Sequence, residues 1–140
     1  MTVRGESYIH IVSPGAPGGP LLFAFHGTGG DERQLVSLGR ELVPGATIVS
    51  PRGDVSEFGA ARFFRRTGEG VYDMDDLARA VQKMKGFVEA HIESSDASRI
   101  FAFGYSNGAN ILASVHGMRG RELERGGDVA QSTATSTPAR

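Results

Sequence analysis

Cysteine is absent from the 140 residues, which excludes disulfides, thiolate metal sites and a cysteine nucleophile. Neither sign of charge is in excess: 15 Lys and Arg against 16 Asp and Glu leave a net charge of −1. That balance offers no electrostatic footprint for nucleic acid or an anionic membrane, and neither is expected as a partner. No apolar run approaches the ~20 residues of a membrane-spanning helix. The first residues, Met1 to Glu6, lack the apolar core of a signal peptide. A cytoplasmic protein is expected. There is no internal repeat. What is present, 39% hydrophobic and 22% charged residues, reads as one soluble globular domain, small for an α/β enzyme.

Strands alternate with helices along the chain. Residues 2–12 alternate loosely and end at Ser13-Pro14-Gly15, and the stretch from Pro14 to Pro20 is a turn or short loop. Leu21 to Phe25 is a continuous apolar run, as in a strand buried on both faces. Asp31 is placed to cap a helix carrying Leu35, Leu38 and Leu42 on one face, and Ala46 to Ser50 forms another buried strand. Residues 51–72 show no period and read as loop. Asp73, Asp75 and Asp76 suit the positive end of a helix dipole better than a metal site, and no metal is expected. The helix behind them presents Met74, Leu77, Ala78, Val81, Met84, Val88 and Ile92 on one face. Ile100 to Phe103 is the next strand, with a helix over 107–116 whose Ile111, Leu112 and Val115 point inward. The order predicts an α/β fold: a mostly parallel sheet flanked by helices.

Two motifs close strands in this scheme. Gly104-Tyr105-Ser106-Asn107-Gly108 has the form G-x-S-x-G at a strand-to-helix turn, the pattern of a nucleophile elbow. The sharp turn leaves little room for side chains two positions either side of the serine, which accounts for the glycines. His26-Gly27-Thr28-Gly29-Gly30 closes the earlier strand. A loop of that type supplies one backbone N–H of an oxyanion hole, and the residue after the nucleophile supplies the other. Thr28 and Asn107 are the corresponding amides.

With these motifs the chain resembles the phospholipase/carboxylesterase group of α/β hydrolases, which includes acyl-protein thioesterase-like enzymes. It is most similar to the bacterial branch linked to hydroquinone and catechol resistance. Further matching segments are Asp31-Glu32, Ser50 to Asp54, Arg62 to Arg66, the Val71-to-Ile92 helix and Ala109-Asn110-Ile111. The likeness spans roughly residues 3–115. It implies a cofactor-free serine hydrolase acting on small carboxylic esters or thioesters. Ser106 would be the nucleophile, with the Thr28 and Asn107 amides stabilising the oxyanion. Losing such a donor typically lowers turnover by ~10²–10³. The Arg62-to-Arg66 cluster reads as a loop near the pocket mouth. Phe63 and Phe64 would be packing or substrate-binding wall there, with the arginines solvated or salt-bridged. His26 reads as a structural member of its loop, His10 and His91 as surface residues of a strand and a helix.

In this family order the acid and the histidine follow the serine. Ser106 stands late among 140 residues, and the three strands expected behind it need ~90 residues at ~30 per βαβ unit. His116 would lie ~15 Å down the elbow helix at 1.5 Å per residue, and Glu122, Glu124 and Asp128 fall in the tail. The triad Asp and His are therefore expected to be missing. Residues 1–116 read as a partial α/β-hydrolase domain lacking its last strands, and 117–140 as a disordered tail. A truncated or frameshifted product is the expectation, with impaired esterase activity or, alternatively, an inactive remnant serving as a binding module. Ile100 to Phe103 would then be a sheet edge that invites homodimerisation.

Overall fold

A computed structural model describes residues 7–68 and 70–115. The expected tail over 117–140, together with His116 and residues 1–6, lies outside the described residues.

Four strands make the main sheet: β1 (His10–Ser13), β2 (Leu21–Phe25), β3 (Thr47–Pro51) and β8 (Ile100–Gly104), in the order β1-β3-β2-β8. β3, β2 and β8 run parallel, while β1 pairs antiparallel with β3 through His10↔Pro51 to Ser13↔Ile48. The sheet is thus mostly parallel, as the alternation of elements predicts. β2 occupies its middle, and all five of its residues are buried. Each full burial of an apolar side chain there contributes about 1.5–3 kcal/mol, which is why a five-residue apolar run can anchor the fold.

The period of two divides the sheet residues between two cores. Leu21, Phe23, Phe25, Val49, Ile100 and Ala102 face α2 (Met74–Glu93) and the helix over residues 107–115, here α3. Leu22, Ala24, Ile48 and Phe103 face the other side, where Leu35, Val36 and Val43 around α1 (Val36–Leu42) cover them. Helices on both faces explain why β2 carries no polar alternation.

α2 follows its sequence pattern closely. The Asp73 carboxylate accepts the Asp76 N–H at 3.0 Å and caps the helix. Leu77, Ala80, Val81, Met84, Phe87 and Val88 form the buried stripe, whereas Met74 and Ala78 are exposed. α1 departs from expectation. Asp31 accepts from Arg33 N–H at 2.8 Å in a local turn, and the helix starts five residues later without a side-chain cap. Leu38 and Leu42 are exposed; Gly39 is the buried position. A Cβ at Gly39 would already lie 3.0 Å from the Leu22 side chain, so α1 packs by close backbone approach and its leucines turn outward.

The stretch 51–72 is not a plain loop. It holds two hairpins, β4 (Val55–Glu57) with β5 (Ala60–Arg62) and β6 (Arg66–Gly68) with β7 (Val71–Tyr72). Strands of two or three residues are too short to show a period in sequence. Arg66 joins the hairpins by a two-pronged ion pair to Glu57, at 2.8 and 2.9 Å. Among the described residues, β8 ends the sheet on one side, and no helix is long and apolar enough to cross a membrane.

Candidate active site

β2 and β8 are adjacent and in register from Leu21↔Ile100 to Phe25↔Gly104. The chain leaves β2 for β3 on one side and reaches β8 on the other, with α1 and α2 on opposite faces. The C-terminal ends of β2 and β8 therefore form a topological switch point, the place where open α/β sheets bind ligands. Both sequence motifs lie there and touch. A Cβ at Gly27 would meet the Tyr105 ring at 2.8 Å and the Tyr105 carbonyl oxygen at 3.1 Å. Tyr105 N–H donates to the Phe25 carbonyl at 3.0 Å, which ties the second motif to the strand that carries the first.

The turn at Ser106 is as tight as its glycines suggest. Ser106 has φ +56°, in the left-handed region that side chains rarely adopt. A Cβ on Gly104 would stand 2.6 Å from the Gly108 carbonyl carbon, and one on Gly108 would stand 2.0 Å from the Phe25 carbonyl oxygen. Both obstacles are backbone, so neither can yield. The turn leaves Ser106 exposed at the N-terminal end of α3, where the helix dipole favours developing negative charge.

Thr28 follows Gly27 on the first loop, and Asn107 follows Ser106 on the second. Among the described residues, neither backbone N–H donates in a backbone–backbone bond outside the helices and strands. Their side chains are engaged elsewhere. Thr28 Oγ1 accepts from Arg62 Nη1 at 2.7 Å, and buried Asn107 Oδ1 accepts from Phe63 N–H at 2.7 Å.

His26 is buried and fully occupied. Its Nε2 accepts the Gly53 N–H at 2.9 Å, so Nδ1 carries the proton and donates to the Gly27 carbonyl at 2.7 Å. Burial pushes its pKa below the ordinary histidine value. With Nε2 spent on a backbone donor, His26 is a structural element of the loop and not a base. Glu32 anchors the same loop: Arg52 Nε and Nη2 donate to its carboxylate at 2.8 and 3.0 Å. Those hydrogen bonds hold the Glu32 pKa down to about 2.

Phe63 and Phe64 are fully buried. Phe63 packs on His26, Phe25 and Tyr8, and Phe64 packs edge-on against Tyr72. Both are thus core packing, with no exposed face of their own. The neighbouring arginines differ from one another. Arg65 and Arg66 pair with Asp76 and Glu57, whereas Arg62 is only 3% exposed. Its burial, the Glu32–Arg52 clamp and the Asn107 side-chain bond are not legible from the sequence. A charged residue beside Phe63-Phe64 was the one available signal, and it fits a surface loop equally well.

Among the described residues, no histidine or carboxylate hydrogen-bonds the Ser106 hydroxyl. His116, Glu122, Glu124 and Asp128 lie outside the described residues. No group of three or more His, Asp or Glu among the described residues is placed to hold a metal ion.

This architecture recurs in known proteins. The chain is 44% identical over 108 residues to "Putative hydrolase MhqD" of Bacillus subtilis (strain 168), an alignment covering 76% of this chain and 54% of that protein. The crystal structure of Atu2452, a protein of unknown function from Agrobacterium tumefaciens, matches with a TM-score of 0.73 and 58% identity, over 78% of this chain and 53% of that one. The Bacillus cereus carboxylesterase matches with a TM-score of 0.70 and 39% identity, over 76% and 51%. No protein-family model matches the chain. The chain spans about half the length of each of these relatives.

Proposed function

This chain is an α/β hydrolase by fold and a homologue of carboxylesterases, and on that premise we propose that it is a cytoplasmic serine hydrolase cleaving small carboxylic esters or thioesters through an acyl-Ser106 intermediate. One observation carries the reading. The loops of the two sequence motifs touch at Gly27 and Tyr105, next to an exposed serine at φ +56° on a strand-to-helix turn. In the reaction, Ser106 Oγ attacks the carbonyl carbon and its proton passes to a base. The Thr28 and Asn107 N–H groups receive the oxyanion, and the alcohol or thiol departs. Water then releases the acid from the acyl-serine. No cofactor enters this scheme.

A serine hydroxyl is a weak nucleophile without a neighbouring base, and the described residues supply none. That same observation favours a second reading, an inactive form serving as a binding module. A fluorophosphonate probe with mass spectrometry at Ser106 separates the two. Labelling no faster than in Ser106→Ala would remove the enzyme reading, and a small-ester assay then measures deacylation. The outer edge of β8 supports a homodimer through added strand pairing; a monomeric elution volume on size exclusion would argue against it.

A further inference from the structure

The sheet fixes the roots of the two motif loops but not their tips. Register between β2 and β8 ends at Phe25↔Gly104, and the Thr28 and Asn107 amides lie beyond it. A third segment holds those tips. Gly29 N–H donates to the Ala61 carbonyl at 3.0 Å, Arg62 Nη1 donates to Thr28 Oγ1 at 2.7 Å, and Phe63 N–H donates to Asn107 Oδ1 at 2.7 Å. Consecutive residues thus grip first one loop and then the other. Arg62 Nε also donates to the Phe64 carbonyl at 2.9 Å, which folds the segment onto itself.

Burial makes this arrangement stiff. Arg62 is 3% exposed, Phe63 is 0% and Asn107 is 1%. A guanidinium has donors only, set in a rigid planar fork. Out of water it must keep its acceptors, because a buried donor without one is costly. The Thr28 hydroxyl and the Phe64 carbonyl accept from different nitrogens of that fork, so they stand at a fixed separation. On the far side, the Asn107 amide group is held by a backbone donor that cannot rotate away.

We propose that Arg62, with the Phe63 backbone, is the brace that sets the spacing of the two oxyanion amides, and that Arg62 is a positioning residue for the reaction. The proposal rests on the serine-hydrolase reading of Ser106. It assigns a role to the least exposed arginine of the Arg62-to-Arg66 cluster, whose other members form ion pairs at the hairpins and α2.

Amide hydrogen exchange on the full chain, resolved by NMR, tests the brace apart from catalysis. Thr28→Val removes one acceptor on the first loop and leaves Arg62 and Asn107 in place. Phe63 N–H, whose partner belongs to the second loop, should nevertheless exchange about tenfold faster, the scale of one charge-assisted hydrogen bond. Arg62→Met should accelerate both Gly29 and Phe63, with Phe23 and Ala102 in the sheet unchanged. Ser106 phosphonylation by the fluorophosphonate probe should slow by a similar factor in both variants. Unchanged Phe63 exchange in Thr28→Val, or equal acceleration at Phe23 and Ala102, would overturn the brace. If the natural chain is not labelled at Ser106, the nucleophile reading falls while the exchange data still decide the brace. Should Arg62→Met fail to fold, Thr28→Val alone carries the decision.

Discussion

Replacing Ser106 by glycine should stabilise this protein relative to replacing it by alanine. Ser106 is one of two non-glycine residues with positive φ among the described residues; the other is Phe58 at the tip of the first hairpin. For an L-residue the left-handed conformation costs roughly 1–2 kcal/mol, a strain that glycine does not bear. Glycine elsewhere usually destabilises by roughly 0.5–1 kcal/mol through lost chain entropy, so a net gain of about 1 kcal/mol over Ser106→Ala is expected. For a chain of 140 residues that corresponds to a Tm difference of roughly 4 °C. Both variants lack the hydroxyl and both leave an exposed position, so burial and hydrogen bonding cancel in the comparison. Thermal unfolding followed by far-ultraviolet circular dichroism measures the difference directly. A Ser106→Gly melting temperature equal to or below that of Ser106→Ala would refute the claim that the elbow stores backbone strain. The expected result would mean that Ser106 is held against local preference by the surrounding packing, as strained functional positions are.

Other glycines should respond by their surroundings. Gly108→Ala places a methyl 2.0 Å from the Phe25 carbonyl oxygen and should destabilise by about 3 kcal/mol in urea unfolding, the upper range for overpacking. Gly86→Ala, in mid-α2 with nothing within 4 Å, should stabilise by about 0.5–1 kcal/mol, and a loss there would contradict the helix packing described. Glu32→Gln should lower Tm at neutral pH by breaking the Arg52 clamp. Because folding depresses the Glu32 pKa to about 2, its contribution is complete above the unfolded carboxyl pKa of ~4.3 and fades as pH falls towards 2. The gap between variant and natural chain should close over that window, and a gap constant down to pH 2 would exclude the assignment. His26 also has a depressed pKa in the fold, so its neutral form stabilises above the unfolded pKa of ~6.5 and that stability is lost as pH drops through the folded value. His26→Gln should flatten the acid limb of stability between neutral pH and the carboxylate range; an unchanged slope there would remove His26 from the account.

Features set by neighbours in the chain were legible in the sequence. The apolar run of β2 demanded burial on two faces, Asp73 announced the start of α2, and the spacing from Leu77 to Val88 fixed its inward side. Local patterns misled where contacts decide. Leu35, Leu38 and Leu42 imply a helix face, yet α1 approaches the sheet through Gly39 and turns Leu38 and Leu42 outward. The hairpins between Val55 and Tyr72 are stabilised by cross-strand pairs and by Arg66–Glu57 rather than by any period of their own. Arg62 belongs with these: an arginine beside two phenylalanines is a surface residue by default, and only its acceptors reverse that.

The sequence by itself determined where the G-x-S-x-G turn lies and that glycine must flank it, because a strained strand-to-helix turn is a local steric matter. It also determined that a second loop of the right type precedes it. The tertiary structure decided how these pieces become one site. The bonds that position it join His26 to Gly53, Thr28 to Arg62 and Asn107 to Phe63 across 27, 34 and 44 positions. Hydrogen bonds of that span depend on strand order and on which side chains are sealed from water, and no window of sequence contains either.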